Sequence, residues 1–207
     1  MHCAMIDGKR YLFANGYKTK RRYFKTVPEK TKTFSQPTLS SNGTMGGSAF
    51  ACSASSEDAN DSGQRKAYHA FDNNSSSYWR CNNTTSGWIQ FYSPNPLRVS
   101  KIKWGYYFSY PTKGTVKGSN DGSSWTTLKS WTNSSAADFT ITVSSTVGYK
   151  YHRVTVTGVN KDVVHCAKMT VTAMEVTQEA YEVEVQEGEA YDRYQDDTYL
   201  EIIGVIA

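Results

Sequence analysis

What most limits the fold open to this chain is the rhythm of residues 34–177. Short runs of β-branched and aromatic residues recur there, each closed by Gly, Pro, Asn, Asp or Ser, and no stretch repeats apolar residues at helical spacing. Asp138-Phe139-Thr140-Ile141-Thr142-Val143 shows the rule most clearly: alternate side chains are apolar, as in a strand with one buried face. The same reading gives strands at 49–53, 87–92, 99–106, 115–119, 126–131, 151–157 and 168–177, with Ser93-Pro94-Asn95-Pro96 as a turn. A content of 15 Tyr, 8 Phe and 5 Trp suits such strands. The expected fold is all-β: an eight-stranded jelly-roll sandwich with β extensions at its N- and C-terminal sides.

Charge divides the chain further. The net charge is +4, but residues 1–33 carry nine Lys/Arg against Asp7 and Glu29, and residues 175–207 carry ten acids against Arg193. Three zones follow: a basic arm or hairpin at 1–33, the sandwich at 34–177, and an acidic extension at 178–207. In the arm, Asn15-Gly16 is a strong hairpin signal flanked by Tyr11, Phe13, Tyr17 and Tyr23. A basic arm suits nucleic acid, but the tail of opposite sign offers a nearer target, in the same chain or in a neighbour of an assembly. The apolar end, Ile202-Ile203-Gly204-Val205-Ile206-Ala207, is expected to pack on a neighbour.

Several classes are set aside. No apolar run approaches the ~20 residues of a membrane helix. The first residues, Met1-His2-Cys3-Ala4-Met5-Ile6, show no signal core, so the chain reads as made in a cytoplasm. Cys3, Cys52, Cys81 and Cys166 fit no zinc spacing and read as free thiols. His2, His69, His152 and His165 are scattered, and the few acids of 34–177 sit mostly in turns, so the chain reads as non-catalytic.

Two turns carry a resemblance. Ala70, Asp72 and Trp79 stand at the spacing of an acidic turn ending in Trp, and Gly118-Ser119-Asn120-Asp121-Gly122 leads to Trp125. With Gly87-Trp88-Ile89-Gln90-Phe91, Tyr151-His152-Arg153-Val154 and Met174-Glu175-Val176, these resemble the discoidin family, also called the coagulation factor five/eight type C family. Its bacterial branch is the family 32 carbohydrate-binding modules. The run from Gln36 to Gly47 and the run from Phe91 to Leu97 look like versions found in phage and prophage tail-region proteins.

The resemblance implies two sites. Many relatives hold a structural Ca²⁺ in the acidic turn; Asp72, Asn74, Ser77 and Glu175 match those positions, with Asn73 in place of a usual Gly. Glycan-binding relatives use the loops at one end of the sandwich. Here those loops offer Tyr106, Tyr107 and Tyr110 for stacking on sugar C–H faces, and Arg65, Arg80 and His165 for hydrogen bonds. Trp79, Trp88 and Trp125 read as core or turn-packing residues. The implied function is a virion structural protein of a phage tail or baseplate that binds host surface glycan, acts as a homo-oligomer within an assembly, and attaches to other virion proteins through 1–33 and 178–207. Two alternatives stay open: a head or tail scaffold that binds only protein, and a cell-surface carbohydrate-binding adhesin.

Overall fold

A computed structural model describes residues 2–6, 9–14, 17–18, 22–58, 65–74, 76–82 and 84–186; up to residue 23 and from 184 onward the description is of backbone alone. The chain forms two compact units: Glu29–Glu179, and a second made from Met1–Pro28 with Ala180–Ala207.

The second unit uses both ends of the chain. Strands β1 (His2–Ile6), β2 (Lys9–Ala14) and β3 (Tyr17–Lys18) form one sheet. β2 and β3 pair with Ala14 opposite Tyr17; Asn15-Gly16, where the sequence predicts a turn, lies outside the described residues. β4 (Arg22–Val27) pairs antiparallel with the last described strand, Tyr181–Gln186, placing Lys25 opposite Val183 and Thr26 opposite Glu182. The basic and acidic ends thus join within one chain. The apolar end at 202–207 lies outside the described residues.

The larger unit holds β5 (Lys30–Thr33), β6 (Ala51–Ala54), β7 (Trp79–Arg80), β8 (Gly87–Trp104), β9 (Pro111–Ser119), β10 (Thr126–Thr132), β11 (Phe139–Thr142), β12 (Tyr149–Val159), β13 (His165–Cys166) and β14 (Met169–Gln178); the strand after it, Tyr181–Gln186, is β15. A short 3₁₀ turn, Ala67–Ala70, precedes β7. β5 joins the sheet by pairing with β14, so the sandwich takes up residues that the charge pattern assigned to the arm.

β8 departs from the sequence reading. It is one strand of 18 residues, where two strands and a Pro-rich turn were expected. Its first half pairs with β6 and β12, and its second half with β14 and β11. The first group continues through β9 to β10, giving one layer; the second, with β5, gives the other. The prolines are accommodated by a register break. Tyr151 opposes Tyr92 while Tyr149 opposes Leu97, so residues 93–96 bulge against Lys150 alone. Proline lacks the N–H that a regular ladder needs, and a bulge does not ask for it.

Alternation fills the space between the layers. In β12, His152, Val154 and Val156 are buried while Arg153 and Thr155 are half-buried. Ile89, Phe91, Leu97, Val99, Ile102, Val116 and Met169 are fully buried with them. Trp79 and Trp104 meet edge to face at 6.4 Å in this core, both at 0 % exposure. These two indoles each find an acceptor: Trp79 Nε1 donates to Ser56 O and Trp104 Nε1 to His165 O, each at 3.0 Å. Cys52, Cys81 and Cys166 are buried free thiols, and burial pushes the Cys52 thiol up to about 12.

Candidate functional site

The two signature turns are built differently. In the second, the Asp121 carboxylate accepts the backbone N–H groups of Ser124 at 2.7 Å and Ser123 at 2.8 Å, and the Ser119 hydroxyl at 2.8 Å. These donors hold its pKa well below the usual carboxylate range, the Ser124 amide first. Gly122 takes φ 75°, in the left-handed region that favours glycine. The turn delivers Trp125 onto the sheet, where the Arg153 guanidinium carbon lies 4.0 Å from its ring centre and 4.2 Å from that of Trp88.

In the first turn, Asp72 is closed by protein donors. One oxygen accepts Asn74 N–H at 2.8 Å; the other lies 2.6 Å from both the Ser77 hydroxyl and His69 Nδ1. Asn73 stands at φ 57°, which explains why glycine suits that position and why Asn is tolerated there. The turn thus gathers Asp72, Asn74 and Ser77. Glu175 lies elsewhere: in β14, opposite Leu97, its carboxylate accepts Asn95 Nδ2 at 2.6 Å and pairs with Lys32 at 3.5 Å. Calcium asks for six to eight oxygens, several of them anionic. Here one carboxylate, already bonded to three donors, stands next to an Asn73 side chain that accepts from the Lys168 ammonium. These residues do not fit a calcium ion, and among the described residues no group of three His, Cys, Asp or Glu is placed to hold a metal.

The loop end of the sandwich holds an open cavity of about 470 Å³ lined by Arg65, Tyr78, Arg80, Tyr107, Phe108, Ser109, Asp162, Val163 and His165. The small sheet of β7 and β13 sets its frame, with His165 directly opposite Arg80. Trp79 points into the core, so its neighbours Tyr78 and Arg80 both turn the other way. Beneath them Asp58, 1 % exposed, binds the guanidinium groups of both Arg65 and Arg80. Backbone bonds reinforce the contact: Asp58 N–H donates to Arg80 O, and Arg80 N–H to Arg65 O. A single buried carboxylate therefore fixes two cations that would otherwise swing freely.

Aromatic rings complete the lining. Tyr78 and Tyr107 stack at 4.0 Å, and His165 lies within 6.4 Å of Tyr78, Tyr107 and Phe108. Phe108 is 62 % exposed and carries the Lys161 ammonium 4.2 Å above its ring. Ser109 donates its hydroxyl proton to Val163 O, leaving the oxygen to accept from His165 Nδ1–H at 2.8 Å. Burial, then the positive Arg80, push the His165 pKa down to about 4. At neutral pH the ring is uncharged, and Nε2 is an acceptor. In this arrangement the Ser109 hydroxyl proton is directed to a backbone carbonyl and not to His165.

Of the residues expected to meet sugar, Arg65, Arg80, Tyr107 and His165 converge on this cavity. Tyr106 and Tyr110 do not line it; their backbone N–H groups brace the loop, bonding Asp138 and Asn160 side chains at 2.9 and 2.8 Å. Sequence reasoning placed Tyr78, Phe108, Ser109, Asp162, Val163 and the anchor Asp58 in the loops at this end of the sandwich but did not single them out. Tyr78 was within reach, since a residue beside a buried strand Trp faces away from the core.

Comparison with known proteins follows the same outline. Residues 51–169 match the F5/8 type C domain family. The fold resembles that of the family 32 carbohydrate-binding module of NanJ from Clostridium perfringens, solved with galactose, at 20 % identity and TM-score 0.52, covering 61 % of this chain and 93 % of that one. It also resembles chitosan-binding module 2 of a chitosanase/glucanase from Paenibacillus sp. IK-5, solved with chitotriose, at 24 % identity and TM-score 0.52, covering 60 % and 96 %. A third likeness is to the module CpGH89CBM32-5 from Clostridium perfringens, solved with GalNAc-β-1,3-galactose, at 14 % identity and TM-score 0.53, covering 59 % and 94 %. No curated protein matches the chain in sequence. The sandwich, its two signature turns and the match over residues 51–169 establish that the chain belongs to the F5/8 type C domain family.

Proposed function

We propose that the chain is a non-catalytic glycan-binding protein of a phage virion, in a tail or baseplate, whose cavity at the loop end of the sandwich takes a host surface sugar. The observation that carries the reading is the convergence of two pre-anchored arginines, a neutral histidine and the exposed rings of Tyr107 and Phe108 on one cavity. Sugar rings need both: an apolar face to stack on and fixed polar groups for the hydroxyls. The solved modules with this fold that were crystallised with galactose, chitotriose and GalNAc-β-1,3-galactose lend support. The virion setting rests on the phage-like segments 36–47 and 91–97. In this setting residues 1–33 and 178–207 attach the sandwich to neighbouring virion proteins and to further copies, and weak single contacts multiply over many copies.

The test is binding of the full chain, as a multimer, to a glycan array and to host cell walls. Binding to a defined sugar, weakened roughly tenfold or more in Arg80→Ala and Tyr107→Ala, is the expected result. No binding by the multimer would transfer the chain to the scaffold reading, in which the loops meet only protein.

A further inference from the structure

The layer made of β6, the first half of β8, β12, β9 and β10 contains no Asp or Glu, yet it carries Lys113, Lys117, Lys129, Lys150 and Arg153. Arg153 is the best held of these. Its guanidinium lies between the half-buried indoles of Trp88 and Trp125. Its Nε–H donates to Gln90 Oε1 at 2.9 Å, and Gln90 Nε2 donates to Ser53 Oγ at 2.8 Å. With both faces and one edge occupied, the fork formed by Nη1 and Nη2 has no hydrogen-bond partner among the described residues. Lys117 stands directly opposite Arg153 on the same face of the sheet and pairs with no described carboxylate. Two cations facing each other across strands repel, unless an anion joins them.

We propose that this face is a second binding site, separate from the loop-end cavity, for the carboxylate of an acidic saccharide. The Arg153 fork takes the two carboxylate oxygens in parallel, as planar guanidinium does best. Lys117 supplies the second cation, and the edges of Trp88 and Trp125 offer apolar surface to the sugar ring that bears the acid. Because the fork is already fixed by two indoles and Gln90, little ordering remains for the ligand to impose. The proposal does not depend on the reading of the loop-end cavity.

The test is an NMR titration of the full chain with a galacturonate trisaccharide, against its neutral galactose counterpart and against inorganic phosphate. The Arg153 Nε–H and the Trp88 and Trp125 indole N–H resonances should shift saturably with the galacturonate alone. Lys117→Ala, which leaves both indoles and Gln90 in place around Arg153, should weaken that binding roughly threefold to tenfold, and Arg153→Lys by roughly tenfold or more. Tyr107→Ala, which attacks only the loop-end cavity, should leave these shifts unchanged. Silent resonances up to about 10 mM of the acid would overturn the proposal. So would equal shifts with phosphate or the neutral sugar, or an effect that disappears in Tyr107→Ala.

Discussion

Arg80 and Arg153 are both half-buried cations, and the molecule holds them by opposite means. Arg80 shares a buried carboxylate with Arg65; Arg153 lies between two indoles with a single neutral acceptor. In the first arrangement the charge is partly neutralised and orientation comes from charge-assisted bonds. In the second the charge is kept whole and orientation comes from stacking. A cavity of the proposed kind, sorting hydroxyls, would gain from the first, because an anchored donor of muted charge does not capture every passing anion. A face without acids gains from the second, because its charge remains available.

The largest effect should come from removing the shared anchor. Asp58→Ala leaves two guanidinium groups without their buried counter-charge and should lower stability by about 3 kcal/mol, read by urea unfolding. A loss under about 1 kcal/mol would mean that the arginines re-solvate freely and that Asp58 does not anchor them. Trp125→Ala removes one of the plates around Arg153 and should lower stability by about 2 kcal/mol, while leaving sugar binding in the loop-end cavity intact. If the cavity lost affinity equally, the two regions would be coupled rather than separate.

A smaller effect should follow pH. Burial depresses His152 to about 3, and burial with Arg80 depresses His165 to about 4. Both folded values lie below the ordinary 6.5, so the unfolded chain binds more protons in acid. Their contribution is complete above pH 6.5 and declines as pH falls toward 4 and then 3. His152→Phe, in a site already stacked on Phe91 at 5.1 Å, should flatten the stability profile between pH 6.5 and 4. An unchanged slope in that variant would show that His152 does not set it. The smallest effect should be that of calcium: its addition, or a chelator, should move the melting temperature by no more than about 1 °C. A larger rise with calcium would show that the Asp72 turn opens to admit the ion.

Local pattern made much of this legible in the sequence. The turn at Ser119–Trp125 could be read because each residue has a local job: a carboxylate for two successive amides, a glycine for a positive φ, a Trp to dock. The strand at 138–143 could be read because its alternation matches its burial. The continuity of β8 could not, since Pro94 and Pro96 signal a break wherever they occur, and only the partner strand's register reveals a bulge that tolerates them. The cavity was half visible. Arginine, histidine and tyrosine advertise polar and stacking chemistry, whereas Asp58 gave no sign that it would be buried beneath two of them. Its role depends on residues 65 and 80 meeting in space, and nothing in the spacing encodes that. The pairing of β4 with Tyr181–Gln186 was anticipated only as opposite charge at opposite ends, without register.

The long strand β8 also bears on how the protein is made. A chain emerging from the ribosome presents β8 with only β6 already available; β12 and β14, which flank it in the two layers, have still to be synthesised. During that interval Ile89, Phe91, Leu97, Val99, Ile102 and Trp104 have no lasting cover. Neither layer can close first and wait for the other, because both are built on the same strand. Folding is therefore held back until residues up to about 178 have been added, and the molecule should be most prone to aggregate, and most in need of a chaperone, in the interval between the synthesis of β8 and that of β14.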